Sequence, residues 1–452
     1  MPNIHVSHDI KLSLVDLPTP LREQIVDDLT LDNPKFIQSE RMGYSTWDIP
    51  VTIPLHRVDK GSLSLPRGYM HNLVALLNQH AISYAINDER LRLPDVEYNS
   101  TIQLRQYQVA AVDALIANHQ GGVCASCGSG KTMIGLAAIA RTNQPAMWIT
   151  HTKELADQVI ERAVSVFGMR KDEIGYIGGG KYTIGTRLTV ALVQTLSKRD
   201  LADVVDKFGC VCIDEAHHMG ASSFFSVINQ FPAAYRFWLP ATPTRSVGLT
   251  HMVVFRGWPI VHQIHQSEVP TITPCLVAME TQYDYMCDSF AHQMSNLIAN
   301  RLRNELICTT IAKHAKGNYS LVLSDRLDHL KTLRGMLRER LPHMTIEILH
   351  GQLPKREREE LMQRIRNKQV DIALSTQLAR EGLDIPHLNQ LFLTTPKRAI
   401  ATVQQEIGRV MRPCEGKTSA VVFDFVDSRN PVLRAQWKSR GQVYGQLGIK
   451  LA

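Results

Sequence analysis

Ala125-Ser-Cys-Gly128-Ser129-Gly130-Lys131-Thr132 lies between GGVCAS, a short β-rich run, and TMIGLAAIA, a run with helical spacing. A strand, a glycine-rich turn and a helix in that order make a phosphate cradle. The turn presents successive backbone N–H groups to the anion, and the helix dipole adds partial positive charge at the same place. Gly128, Ser129 and Gly130 are expected to line the phosphates. Lys131 would bring a point charge to the β- and γ-phosphates, and Thr132 would offer its hydroxyl to Mg2+. The usual pattern, GxxxxGK[ST], has Gly first, where this chain has Ala125.

Some eighty residues on, Val211-Cys-Ile-Asp214-Glu215-Ala-His217-His218 ends an apolar strand in adjacent carboxylates. In a parallel sheet that is the edge where ligands bind. Asp214 is expected to hold Mg2+ through water and Glu215 to polarise the attacking water. With the phosphate turn, the pair points to an enzyme that hydrolyses a nucleoside triphosphate.

The runs GGVCAS, PAMWIT, RLTVALV, CVCIDE and YRFWLPAT alternate with helical segments at βαβ spacing, which implies a parallel sheet covered on both faces. A second such series follows, with YSLVLSD, TIEILH, VDIALST, QLFLTT and SAVVFDF as its strands. Between them VHQIHQSEVPTITPCLVAMETQYDYM mixes His, Pro and Thr and reads as a connector. The expected organisation is α/β throughout: a small N-terminal α/β domain over 1–98, a first parallel-sheet domain over 99–258, a connector over 259–298 and a second parallel-sheet domain over 299–452. In the N-terminal part IKLSLVDL alternates as a strand, while PTPLREQIVDDLTL and LPRGYMHNLVALLNQHAI read as helices. ERLRLPDVEYNS reads as a polar connector.

With 452 residues, 44% hydrophobic and 21% charged, the chain has the composition of a globular protein rather than a disordered one. No stretch approaches the roughly 18 apolar residues of a membrane span. MPNIHVSHDIKL lacks the features of a signal peptide, so a cytoplasmic location is expected. Fifty Lys and Arg against 43 Asp and Glu give a net charge of +7. Residues 1–95 carry nine Lys/Arg and twelve Asp/Glu, a net −3, so the excess lies in the remainder of the chain and suits a polyanionic partner. In the N-terminal part only a local patch of Arg41, Arg57, Lys60 and Arg67 could meet nucleic acid. The eight cysteines show no zinc-ligand spacing beyond Cys124-x-x-Cys127 and are expected to be reduced packing residues.

The order of motifs over residues 100–425 resembles the superfamily 2 helicases and translocases. Leu104-Arg105-Gln-Tyr107-Gln108 resembles the adenine-reading motif, which implies nucleotide contacts for Arg105 and Gln108. Ile149-Thr150 through Gln158, and Val193-Gln194-Thr195-Leu196, resemble strand-contacting segments, which implies nucleic-acid contacts for Thr150, Gln194 and Thr195. Leu239-Pro-Ala-Thr242-Pro-Thr-Arg245 is similar to the coupling motif S/T-A-T, with Pro240 replacing the first hydroxyl residue. The resemblance implies coupling roles for His217 and Thr242 and a nucleic-acid role for Arg245. In the second half, Leu321-Val-Leu-Ser324-Asp-Arg326, Leu349-His350-Gly and Ser375-Thr376 through Gly382-Leu-Asp384 resemble the next three motifs. They imply nucleic-acid contacts for Ser324, Arg326, His350 and Thr376 and nucleotide contacts for Gly382 and Asp384. Gln405-Glu-Ile-Gly-Arg409-Val-Met-Arg412 matches QxxGRxxR, implying catalytic Gln405, Arg409 and Arg412, the arginines acting on the γ-phosphate.

Within the superfamily, Asp214-Glu-Ala-His-His218, LRxYQ and Arg301-Leu-Arg303-Asn304-Glu most resemble the branch of phage branch-migration helicases of the UvsW type, T5-like phages included, and the XPB helicases. This implies two RecA-like domains and ATP-dependent unwinding and branch migration of DNA at forks and four-way junctions, in replication, recombination and repair, with ATP and Mg2+. No four-cysteine insertion suits an iron–sulfur cluster, and no nuclease motif is present. Two other readings stay open: a duplex DNA translocase that moves without separating strands, as the motor of a larger restriction or remodelling assembly, and an ATP-gated nucleic-acid clamp. RNA as substrate is a variant of the first. The segment Arg434–Tyr444 reads as an amphipathic helix, with base stacking on Trp437 or Tyr444 as its alternative.

Overall fold

The computed structural model describes residues 1–125, 128–214, 227–240, 259–287, 289–376, 385–396, 403, 406–408 and 410–450. It divides into two compact units, Met1–His265 and Gln266–Ala452.

The first unit opens with a five-stranded sheet in the spatial order Arg57–Asp59, Ser62–Leu65, Ile10–Ser13, Asn3–Val6, Ala85–Asp88. Alternate residues Ile4, Val6, Ile10, Leu12, Leu63 and Leu65 face inward and meet Leu21, Ile25, Leu73 and Leu77 from the helices Thr19–Asp28 and Met70–Gln79. Period-two strands against 3.6-period helices close one core.

That small sheet is fastened to the larger one by an exchange of arginines. Arg67 donates to the carbonyls of Ala233 at 2.8 Å and Ala234 at 3.2 Å, while Arg236 donates to the carbonyls of His8 at 3.0 Å and Phe231. Both guanidinium groups are buried, Arg67 at 1% exposure. Arg67 therefore cannot belong to a surface patch for nucleic acid; Arg41, Arg57 and Lys60 remain exposed. Burial lowers the pKa of both arginines, that of Arg236 to about 9.

The stretch 89–100 is not a loose linker either. Leu91 pairs with Ala233, and the Leu93 N–H donates to Gln144 Oε1 at 2.7 Å. Tyr98 is buried against Phe167 with 5.0 Å between ring centroids. Its polar composition concealed backbone pairing, which composition does not report.

The larger sheet has eight strands, in the order Lys181–Thr183, Gly175–Gly178, Leu188–Leu192, Ala146–Thr150, Cys210–Asp214, Tyr235–Leu239, Gln120–Ala125, Ile260–Ile264. All neighbours are parallel except the terminal hairpin formed by the first two. The helix Lys131–Thr142 lies close on it because Gly135 has no side chain: a Cβ there would meet the Trp148 ring at 2.6 Å.

The second unit has six parallel strands ordered Cys275–Glu280, Val421–Val426, Gln390–Leu393, Ser320–Leu323, Ile372–Ser375, Ile346–Leu349. Both faces are covered. Leu321, Leu323, Ala373, Leu391 and Leu393 enter one core, and Val322, Ile372, Leu374, Phe392 and Phe423 enter the other.

Residues 259–298, read as a connector, contribute a strand to each large sheet. Ile260–Ile264 pairs with Gln120–Ala125, and Cys275–Glu280 pairs with Val421–Val426. Both are end strands, half exposed, so their polar residues are tolerated and mask the alternation.

The helix Pro431–Gln446 packs on this unit. Arg440 forms a bidentate pair with Asp424 at 2.8 and 2.9 Å, and the Tyr444 hydroxyl donates to the same carboxylate at 2.6 Å. Tyr444 is buried, so stacking a base on it is ruled out.

Cys124, Cys210, Cys212 and Cys308 are free and buried, as packing residues should be, but Cys275 is exposed and Cys287 and Cys414 partly so. Cys127 lies outside the described residues. No helix among the described residues is long and apolar enough to cross a membrane.

Candidate active site

The buried strand Gln120–Ala125 delivers the chain to the glycine-rich turn. Gly128 and Gly130 have φ of 88° and 80°, the left-handed region that glycine enters without steric cost. Gly130 then starts the helix Lys131–Thr142. A Cβ on Gly130 would lie 2.5 Å from Gln108 Nε2.

Gln108 is the brace of this turn. Its Nε2 donates to the Ser129 carbonyl at 2.8 Å, and its Oε1 accepts from the Arg105 N–H at 2.9 Å. The Tyr107 hydroxyl donates to the same Ser129 carbonyl at 3.3 Å. Tyr107 was not among the expected site residues; its place one residue before Gln108 was the available signal. Arg105 is exposed and donates to the Tyr107 hydroxyl at 3.3 Å.

The Ser129 hydroxyl is wholly buried and has no partner among the described residues. Such an atom in a phosphate cradle is what a bound ligand would satisfy. Lys131 is half-buried, with Nζ 3.5 Å from the Ala125 carbonyl, and Thr132 beside it is half-buried too.

Asp214 ends its strand at 6% exposure, opposite Leu239, whose strand adjoins Gln120–Ala125. The carboxylate and the turn thus share the C-terminal edge of one sheet. The Ala125 N–H also donates to the Pro240 carbonyl at 3.1 Å, which ties the turn to the start of the expected coupling segment.

The two segments of the first unit expected to contact a strand meet directly: Gln194 Nε2 donates to the His151 carbonyl at 2.6 Å. Gln194 is exposed and Thr195 half-buried. Thr150, however, is 1% exposed, so its hydroxyl is not presented to a polymer.

In the second unit Ser324, His350 and Thr376 follow three adjacent parallel strands and stand at one edge. The Ser324 N–H donates to the Ser375 carbonyl at 3.2 Å, and the Thr376 N–H to the Leu349 carbonyl at 3.4 Å. Arg326 is exposed; His350 and Thr376 are half-buried. Burial, helped by Lys331, lowers the His350 pKa. Ser324 departs from expectation: it is 1% exposed and bonded to His329, not open to a ligand.

Arg412 is half-buried and its carbonyl accepts from Lys417 Nζ at 2.9 Å. Lys417 also donates to the Pro386 carbonyl at 3.0 Å, and burial pushes its pKa down to about 8. It pins together the ends of two motifs. Glu215, His217, Thr242, Arg245, Gly382, Asp384, Gln405 and Arg409 lie outside the described residues.

Comparison with known proteins adds the following. The family described as type III restriction enzyme, res subunit, matches residues 101–245, and the helicase conserved C-terminal domain matches residues 300–414. The chain is 29% identical over 370 residues to a putative ATP-dependent RNA helicase, L396, of Acanthamoeba polyphaga mimivirus, covering 77% of this chain and 69% of the relative. It is 26% identical to the probable helicase D10 of Escherichia phage T5, covering 83% and 82%. Among solved structures, Saccharomyces cerevisiae Dbp5 bound to RNA and ADP BeF3 aligns with TM-score 0.59 at 16% identity, over 77% of this chain and 90% of that one.

Proposed function

The chain belongs to the superfamily 2 helicases and is an ATP-dependent helicase, and from that premise we propose that it unwinds and branch-migrates forked or four-way DNA. The observation that carries the ATP half is the braced turn, with a buried Ser129 hydroxyl that has no partner among the described residues, beside Lys131 and Thr132. The DNA half rests on the pattern LRxYQ, Asp214-Glu-Ala-His-His218 and Arg301–Glu305. The name of the mimivirus relative favours RNA as the second reading.

In the proposed cycle the N–H groups of the turn and Lys131 bind the triphosphate. Gln108, with one N–H and one lone pair uncommitted among the described residues, reads the adenine edge with Arg105. Thr132 and Asp214 would hold Mg2+, which supplies neutralisation of phosphate charge. Glu215 takes a proton from the attacking water, assisted by Gln405. Arg409 and Arg412 stabilise the charge that develops on the transferred phosphoryl group, with Gly382 and Asp384 also at the nucleotide. His217 and Thr242 couple hydrolysis to the grip, which Gln194, Thr195, Arg245, Arg326, His350 and Thr376 provide.

One assay set tests the reading. Purified protein with ATP is offered synthetic forks, four-way junctions, a duplex with a triplex reporter, and RNA duplexes. Resolution of junctions into duplexes supports the proposal; displacement of the triplex strand alone, or unwinding restricted to RNA, refutes it. Removing residues 1–95 is unsuitable as a test of the N-terminal part, because Arg67 and Leu91 are built into the motor sheet. Charge removal at Arg41, Arg57 and Lys60 is the cleaner variant.

A further inference from the structure

The sequence Arg301–Glu305 has so far only marked a resemblance, yet two of its residues, Arg303 and Asn304, are polar and 2% exposed. Arg303 forms a bidentate pair with Asp427 at 2.8 and 3.1 Å and donates to the Thr394 carbonyl at 2.8 Å. Thr394 in turn donates to the Leu323 carbonyl at 2.7 Å. The helix that carries both residues therefore holds the ends of three strands.

Asn304 begins a chain of hydrogen bonds whose direction can be assigned. Its Nδ2 donates to the Ile298 carbonyl at 2.8 Å, which turns its Oδ1 toward His329 Nε2 at 3.0 Å. Nε2 must then carry the proton. The His329 ring is 1% exposed, and burial with Arg303 nearby lowers its pKa to about 3, so the ring is neutral and Nδ1 is an acceptor. Ser324 Oγ lies 3.0 Å from Nδ1 and 3.4 Å from the Arg326 carbonyl, and it gives its single hydrogen to the nearer acceptor, Nδ1. The oxygen is left as an acceptor for the Arg326 N–H at 3.2 Å. The Asp325 N–H between them is held by Thr395 Oγ1 at 3.1 Å. Every backbone N–H of the turn Ser324-Asp325-Arg326 is thereby engaged, that of Ser324 by the Ser375 carbonyl, and the only cationic side chain of the turn, Arg326, is exposed.

We infer that Asn304, His329 and Ser324 form a buried relay that positions Arg326 to grip a nucleic-acid phosphate. Ser324 acts on the polymer through Arg326 and does not touch it. The inference rests on the proposed reading of this edge as a nucleic-acid contact.

The experiment measures ATP turnover by the full chain against increasing single-stranded DNA, at several salt concentrations, for Ser324→Ala, His329→Phe, Arg326→Ala and the double variant Ser324→Ala/Arg326→Ala. Arg326→Ala should raise the half-saturating DNA concentration roughly three- to tenfold and flatten its salt dependence by about 0.7 in log–log slope, the signature of one lost phosphate contact. Ser324→Ala and His329→Phe should shift both readouts the same way while the KM for ATP stays put. The double variant should be no worse than Arg326→Ala alone, since the relay acts through that residue. Normal DNA dependence in Ser324→Ala, with Arg326→Ala impaired, would overturn the relay alone. So would additive effects in the double variant. Normal behaviour of Arg326→Ala would overturn the reading of this edge as a nucleic-acid contact. Ser324→Ala removes a single hydroxyl, so it keeps the test decisive if His329→Phe does not fold.

Discussion

Gln108 and Ser129 are joined across twenty-one residues by one hydrogen bond, from a side-chain amide to the carbonyl between two left-handed glycines. The bond fixes the peptide whose neighbours are proposed to face the phosphates. It makes Gln108 a positioning residue for the turn as well as a candidate contact for adenine.

Gln108→Glu keeps the acceptor for the Arg105 N–H but loses the donor and sets a carboxylate beside the phosphates. The KM for ATP should rise about tenfold or more, in line with a lost hydrogen bond plus like-charge repulsion. Steady-state ATPase at saturating nucleic acid reads it. An unchanged KM would remove Gln108 from the site.

Lys131→Ala and Glu215→Gln should each abolish turnover for different reasons. The first loses phosphate binding, whereas the second should still bind a fluorescent ATP analogue with near-normal affinity. Arg409→Ala should resemble the second, with hydrolysis down by about 10³ or more if it acts as an arginine finger. Comparable hydrolysis by any of the three variants and the unaltered protein would break the assignment of that residue.

Gly135→Ala places a methyl group 2.6 Å from two carbons of the Trp148 ring and 2.7 Å from Leu239 Cδ1. Overpacking of this kind costs about 1–3 kcal/mol and should lower the melting temperature by roughly 3–8 °C. Differential scanning fluorimetry is sufficient. Alanine is otherwise the better helix former, so a rise in melting temperature would mean that the helix and sheet can part freely.

His329 gives a pH dependence of definite sign. Its folded pKa, near 3, is below the unfolded value of about 6.5, so the unfolded chain takes up a proton that the native state refuses. Its stabilising share is whole above about pH 6.5 and is lost progressively as pH falls from there toward 3. His329→Gln should flatten the fall of the denaturation midpoint over that window. A slope identical to that of the unaltered protein would show that the ring titrates normally.

The two parallel sheets were legible because their central strands are apolar on both faces, as Val322, Ile372 and Leu374 against Leu321 and Leu323 illustrate. The end strands Ile260–Ile264 and Cys275–Glu280 were not, since half exposure admits His, Gln and Glu at positions that would otherwise alternate. At the site, a side chain's type announced its chemistry but not its direction. Thr150 and Ser324 sit in the expected segments with their hydroxyls turned inward. Arg67 looked like a surface cation because charge in a sequence says nothing about burial. Its carbonyl partners, Ala233 and Ala234, lie more than 160 residues away.

That exchange of arginines has an evolutionary corollary. Lysine offers no planar fork, so neither Arg67 nor Arg236 can drift to it without leaving a buried carbonyl short of a donor. Because the partners are main-chain carbonyls, which any residue at 8, 231, 233 and 234 would offer, the seam depends on the two arginines themselves, and a chimera that grafts another head onto this motor must keep an arginine on each side.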